Sequence, residues 1–211
     1  MQVRGIIPSF TWAGAGFAVL LSVGCNDAGV ASGVHAQHAQ DPLLAKSAAP
    51  EVQRKIAELR RWSAEFHNPD KAAAAGYTAH IGCIDETLIG VDPSIARGMG
   101  YHVTRGDKDI IGDGIIDINE PELLVYAPHE RDAELPKSER LAAARLVGFD
   151  YFIPGALWTD PDPPEFFGVP FNWSDAFQGW MRHIYLWGNN PQGQFEDFNS
   201  AVRLCTTLLD P

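Results

Sequence analysis

Two histidines, His102 and His183, and two carboxylates, Glu122 and Asp150, stand inside otherwise apolar stretches of this 211-residue chain. Burying a carboxylate is costly unless it is paired or holds a cation. Two imidazoles and one carboxylate on neighbouring strands suit Zn²⁺, Cu²⁺ or non-haem Fe²⁺. The same groups supply ligands or acid–base chemistry to a metal-dependent enzyme. The pattern is equally that of a hydrogen-bonded His–acid pair that fixes a sheet, because no short ligand spacing joins these positions.

A second stretch attracts cations. Asp109, Asp113, Gly114, Ile116, Asp117 and Glu120 meet a Ca²⁺-loop pattern at positions 1, 5, 6, 8, 9 and 12. Ile111 supplies no ligand at position 3, and no clear helices flank the segment. Nine acids face two Lys/Arg between residues 107 and 134, which also describes an acidic surface loop. Other chemistries are absent from the sequence. There is no Gly-x-Ser-x-Gly elbow, Walker loop, dinucleotide fingerprint, His-Glu-x-x-His or haem-attachment motif. Ser174 before Asp175 reads as a helix N-cap rather than a nucleophile. The net charge of −11 excludes a nucleic-acid partner, whose phosphates would be repelled.

The elements that must position these residues follow from periodicity. Val52, Ile56, Leu59 and Phe66 recur at helical spacing against Arg54, Lys55, Glu58, Arg61 and Glu65, with Pro50 suited to the first turn. Asn68-Pro69-Asp70 caps a second short helix, which Gly76 stops. Strands are expected at 101–104, 122–127, 146–153 and 183–187, and a short helix at 136–144. Alternation groups Val147 with Phe149, Tyr151 and Ile153, and His183 with Tyr185 and Trp187. Four prolines in 161–170 make a loop whose Phe and Trp residues must pack on the sheet, as core or as a ligand groove. The fold class is α+β: N-terminal helices on a single antiparallel sheet of four to six strands, with long aromatic-rich loops.

The N-terminus reads as a targeting segment. Arg4 is the only charge before Asp27, and residues 13–23 are small and apolar. Residues 1–24 are expected to be a signal peptide. Leu21-Ser22-Val23-Gly24-Cys25 looks like a bacterial lipobox, which makes Cys25 the lipidated first residue and the membrane a partner through that lipid. Residues 25–49, rich in Ala, Gly, Ser, Gln and His, read as a tether, where His35 and His38 are solvated. Residues 50–211 form one domain. With Cys25 carrying lipid, two cysteines remain in an oxidising compartment, which predicts a Cys83–Cys205 disulfide.

At Gly98-Met99-Gly100-Tyr101-His102 the chain resembles a family of extracytoplasmic bacterial proteins of uncharacterised function. The shared pieces here are Gly76-Tyr77 with Cys83, Pro121 to Tyr126, and Leu146 to Phe152. Pro163 to Phe171, His183-Ile-Tyr-Leu-Trp187 and Asn190-Pro-Gln-Gly-Gln-Phe195 follow. The resemblance spans about residues 76–205. Asp150 stands where Glu is expected, and the segment 128–144 is longer than usual. The resemblance implies an extracytoplasmic setting and one fold, and carries no activity. The expectation is an exported, lipid-anchored envelope protein that binds a metal or small ligand without catalysis. A metal-dependent enzyme and a ligand-free interaction module are the competing readings.

Overall fold

Helix α1 (Pro50–Ser63) forms where the sequence supplies both ends of a dipole-compatible helix. Pro50 opens it, Glu51 lies in the first turn and Arg60 and Arg61 in the last. It buries Ile56, Leu59 and Ser63. A 3₁₀ turn (Ala64–His67) leads to Asn68, whose side chain accepts from the Asp70 backbone N–H at 2.9 Å and caps α2 (Pro69–Ala74). Gly76, at φ 99°, turns the chain out of the helix into the sheet.

The computed structural model describes residues 49–105 and 113–205. The leader, most of the tether, His35, His38, Cys25 and Asp109 lie outside the described residues. Those described fall within one unit, Ala39–Pro211. Its strands are β1 (Tyr77–Asp85), β2 (Gly98–Arg105), β3 (Leu123–Ala127), β4 (Arg145–Pro154), β5 (Glu165–Phe166), β6 (Val169–Pro170), β7 (Asn172–Ser174) and β8 (Gly179–Tyr185). A helix α3 (Lys137–Ala143) precedes β4. Six strands make one antiparallel sheet in the order β1-β2-β3-β4-β8-β7, and β5 and β6 pair separately. The α+β class expected from the sequence is the class observed.

The sheet is buried on both faces. On one, Ile56, Leu59 and Phe66 of the helical segment pack with Leu124, Tyr126, Phe149, Tyr151, Ile153 and Ile184. Phe166 and Phe171 of the proline-rich segment join this core. The opposite face carries two smaller clusters. One contains Val125, Ala127, Val147, Tyr185 and Val202, and the other Leu123, Phe152 and Met181. Residues i and i+2 of a strand share a face. The cross-strand partners Thr104–Leu123, Leu123–Asp150 and Asp150–His183 therefore lie on the second face together with His102.

Three local expectations are corrected. Val125 pairs with Gly148 and Tyr126 with Leu146, so Val147 is a bulge residue and moves to the second face, away from Phe149. Strand β8 ends at Tyr185, two residues earlier than its apolar pattern suggests, because the backbone N–H groups of Leu186, Trp187 and Gly188 all turn onto the Val147 carbonyl. Trp187 thereby leaves the His183 face, packs against the helix-side core and donates to Ser63 Oγ at 3.2 Å. No helix follows Ser174. It ends β7, and its hydroxyl accepts from the Phe177 N–H at 3.4 Å in a turn.

Cys83 and Cys205 are joined, closing a separation of 122 residues. Beside the bridge, the Cys205 N–H donates to Asp85 Oδ2 at 2.8 Å. Asn199 donates its backbone N–H to Gly98 O at 2.8 Å. The C-terminal segment is thus fastened along the start of β2, and this fastening places Asp197 beside β8.

Candidate metal centre

His102 comes from β2 and His183 from β8, with β3 and β4 between them. Both side chains lie on the face away from the helices and reach toward each other. Their Nε2 atoms are 3.1 Å apart and their rings stand nearly perpendicular. Asp150, on β4 beside His183, completes a trio. One ligand atom from each of the three lies within 4.8 Å of the others, and all three residues are buried.

The hydrogen bonds fix the ring tautomers. His102 Nδ1 is 3.0 Å from the Gly100 carbonyl, which only accepts, so Nδ1 carries the proton. Gly100 is where this is arranged. It sits at φ 113°, and a Cβ there would lie 2.3 Å from the Tyr126 carbonyl oxygen. His183 Nδ1 faces Asp197 Oδ1 at 3.4 Å and Asp150 Oδ1 at 3.7 Å, again acceptors when ionised. Each imidazole therefore presents its Nε2 lone pair inward unless a further proton is added. Two lone pairs facing at 3.1 Å repel, and a cation between them removes the repulsion. With metal–nitrogen bonds of about 2.0–2.1 Å, this spacing subtends an angle of roughly 100° at the metal, between octahedral and tetrahedral values.

The electrostatics are those of a dry site. Burial pushes His102 down to about 3, helped by the neighbouring His183. Burial alone would lower His183 too, but Asp150 and then Asp197 outweigh it and hold it above its ordinary range. Asp150 is pushed up to about 6 by burial, against the opposing pull of His183. Its Oδ1 is buried and has no hydrogen-bond partner among the described residues. An orphaned carboxylate oxygen in such a site is a costly feature unless a cation uses it.

The sequence-derived candidates separate cleanly. The structure gathers His102, His183 and Asp150. Glu122 lies just outside β3, and its Oε2 accepts from the Phe152 N–H at 3.1 Å, so it forms no part of the trio. It sits on the bend that precedes β3. Of the acidic loop, Asp113 Oδ1 accepts from the Ile115 N–H and Asp117 Oδ1 from the Asn119 N–H, both at 2.8 Å. Glu120 pairs with Arg105 at 3.6 Å. Each carboxylate is turned to its own local partner, and Asp109 lies outside the described residues.

Asp197 was not foreseen. Its Oδ2 accepts from Asn172 Nδ2 at 2.6 Å while Oδ1 faces His183, so the carboxylate is held from two sides. It lies in an irregular segment without periodicity. Only its place two residues after Phe195, in a turn-rich stretch, distinguishes it in the sequence.

An apolar cavity of about 110 Å³ opens beside two members of the trio, His102 and Asp150. His102 and Asp150 share its wall with Ile84, Leu123, Phe152 and Met181. No known protein family, curated protein or solved structure matches this chain, so its chemistry is read from this geometry.

Proposed function

We propose that the chain is an exported domain that holds one divalent transition metal (Zn, Cu or Fe) through His102, His183 and Asp150. The observation that carries the reading is the pair of inward-facing Nε2 atoms, each on a ring whose Nδ1 is committed elsewhere. Histidines in metal sites are oriented in this way, with the far nitrogen donating to a carbonyl or carboxylate. Gly100 O and Asp197 supply those acceptors. A His₂-carboxylate set leaves coordination positions open, and the apolar cavity borders two of its members, His102 and Asp150. The Cys83–Cys205 bridge is compatible with an oxidising, extracytoplasmic compartment. Among the described residues no helix is long and apolar enough to cross a membrane, and lipid attachment at Cys25 would supply the anchor.

A second reading has support in the raised proton affinity of His183. In it a proton, not a metal, lies between the rings, and Asp150 and Asp197 balance the imidazolium. The trio is then a structural staple. Elemental analysis of the purified protein after loading with Zn²⁺, Cu²⁺ or anaerobic Fe²⁺ separates the two. One equivalent of metal, lost in His102→Ala, supports the metal centre. A protein that stays metal-free under all loadings is the staple.

A further inference from the structure

A second cavity, of about 580 Å³, adjoins the one beside His102 and Asp150. The two share Ile84, Phe177 and Met181. Its rim is formed by side chains that soluble surfaces seldom leave together. Ile89 is 66% exposed, Trp173 44%, Phe177 43% and Leu88 36%. Scattered exposed apolar residues need no explanation, but four around one opening mark a binding surface. At the inner end stand His102 and Asp150, and Asp197 lines the wider chamber.

The geometry points to a small, elongated apolar ligand with a single neutral nitrogen or oxygen donor at one end, which enters past Leu88 and Trp173 and places its donor on the metal. This inference rests on the metal-centre reading. The apolar body follows from the walls. The inner chamber has room for a ring or a short alkyl chain, and its wall beyond His102 and Asp150 is hydrocarbon, aromatic ring or thioether. The single donor follows because the inner chamber offers polar side chains only at His102 and Asp150, while those of the wider chamber, Asp197 among them, lie outside it. The neutral head follows from charge. A divalent ion beside the carboxylates of Asp150 and Asp197 is already balanced, so a charged head would be buried without a counter-charge. Phe177 contributes to both chambers and is the residue that selects for the apolar body.

The test uses protein loaded with Co²⁺, whose visible absorption reports its ligands. Metal content is measured separately. Imidazole and 4-phenylimidazole carry the same donor and differ in apolar body. Both are expected to perturb the spectrum, with 4-phenylimidazole binding roughly ten- to a hundredfold more tightly, the range expected from burying one ring. Phe177→Ala, at a half-exposed position that leaves the core intact, should keep stoichiometric metal and lose most of that preference. Stoichiometric cobalt with equal affinity for the two compounds overturns the ligand assignment and leaves the metal centre standing. So does tighter binding of benzoate than of 4-phenylimidazole. Failure to take up cobalt, zinc, copper or iron overturns both.

Discussion

His102 Nε2 lies 3.1 Å from His183 Nε2, although two strands separate the backbones that carry them. That approach requires both side chains to lean toward each other across β3 and β4. The sheet is thus built to bring two imidazoles together from a distance. An ordinary packed core has no use for that arrangement, because two apolar side chains would fill the space without polar groups to satisfy.

Asp197 acts on His183 through its ring proton, so its removal should weaken metal binding without abolishing it. Asp197→Asn retains an acceptor oxygen for Nδ1–H and loses the negative charge. Outer partners of ligating histidines typically change affinity about 10- to 100-fold. We expect a loss of that size in Zn²⁺ affinity, measured by competition with a chelating dye, at unchanged stoichiometry. An unchanged affinity would mean that Asp197 only fastens Asn172.

Asp150 should show opposite effects with and without metal. In the metal-free protein its Oδ1 is buried without a hydrogen-bond donor, 3.7 Å from His183 Nδ1. Asp150→Asn removes that burden and should leave the apo protein as stable as wild type or raise its Tm by a few degrees. On the proposed metal-centre reading Zn²⁺ raises the Tm of the wild type, and the same substitution, by removing a ligand, should abolish that rise. If Asp150 instead belongs to a proton-bridged staple, the variant lowers the Tm of the apo protein, because the imidazolium loses a counter-charge. Thermal melts with and without zinc decide between these outcomes.

How much of this was legible beforehand differs between residue types. The helices, strands β2, β3, β4 and β8 in outline and the bridge between Cys83 and Cys205 follow from periodicity, capping residues and cysteine count, all local or countable properties, whereas β1 (Tyr77–Asp85) had no such signal. His102, His183 and Asp150 stood out because polar residues inside apolar strands must be satisfied by something. Their mutual placement could not be read, since it depends on strand order, and 81 residues separate the two histidines. Glu122 carried the same signal as Asp150, but it falls on a bend before β3 and turns to the Phe152 N–H. Asp197 carried no signal, because it reaches the site through a loop fastened by Asn199 and the disulfide. Val147 shows the remaining limit. A single bulge reverses the alternation on which face assignments rest.

Glu122 makes the stability of the protein depend on pH in a predictable direction. Burial pushes its carboxyl up to about 8 from an ordinary value of 4.5, against the opposing Phe152 N–H bond. Between these values the unfolded chain has released a proton that the folded chain retains. The contribution is therefore fully present below about pH 4.5, declines as pH rises, and is gone above about pH 8. Glu122→Gln keeps an acceptor for the Phe152 N–H and cannot ionise. Its advantage over wild type should be absent at pH 4.5 and grow to on the order of a few kcal/mol at pH 8 to 9. Urea unfolding across this range measures the difference. A difference that does not vary with pH would show that Glu122 finds a cation or solvent in the folded state.

The disulfide should matter to the site as well as to the fold. Closing a long loop restricts the unfolded chain, and removal of such a bridge typically costs about 2–5 kcal/mol. For a domain of this size that corresponds to a fall in Tm of about 5–15 °C. Cys83→Ala/Cys205→Ala should show it, as should wild type in reductant. The loss should not stop at global stability. Cys205 anchors the end of the segment that runs through Asn199 and Asp197, and Asp197 is what orients His183. Freed at that end, the segment holds Asp197 less firmly, so metal affinity should fall toward that of Asp197→Asn at temperatures where the variant is still folded. Measuring both quantities on the same preparation separates the effects. A lowered Tm with unchanged affinity would show that Asn199 and Gly98 hold the segment without help from the sulfurs. A bridge that can be reduced with no change in either would be incidental to both fold and site.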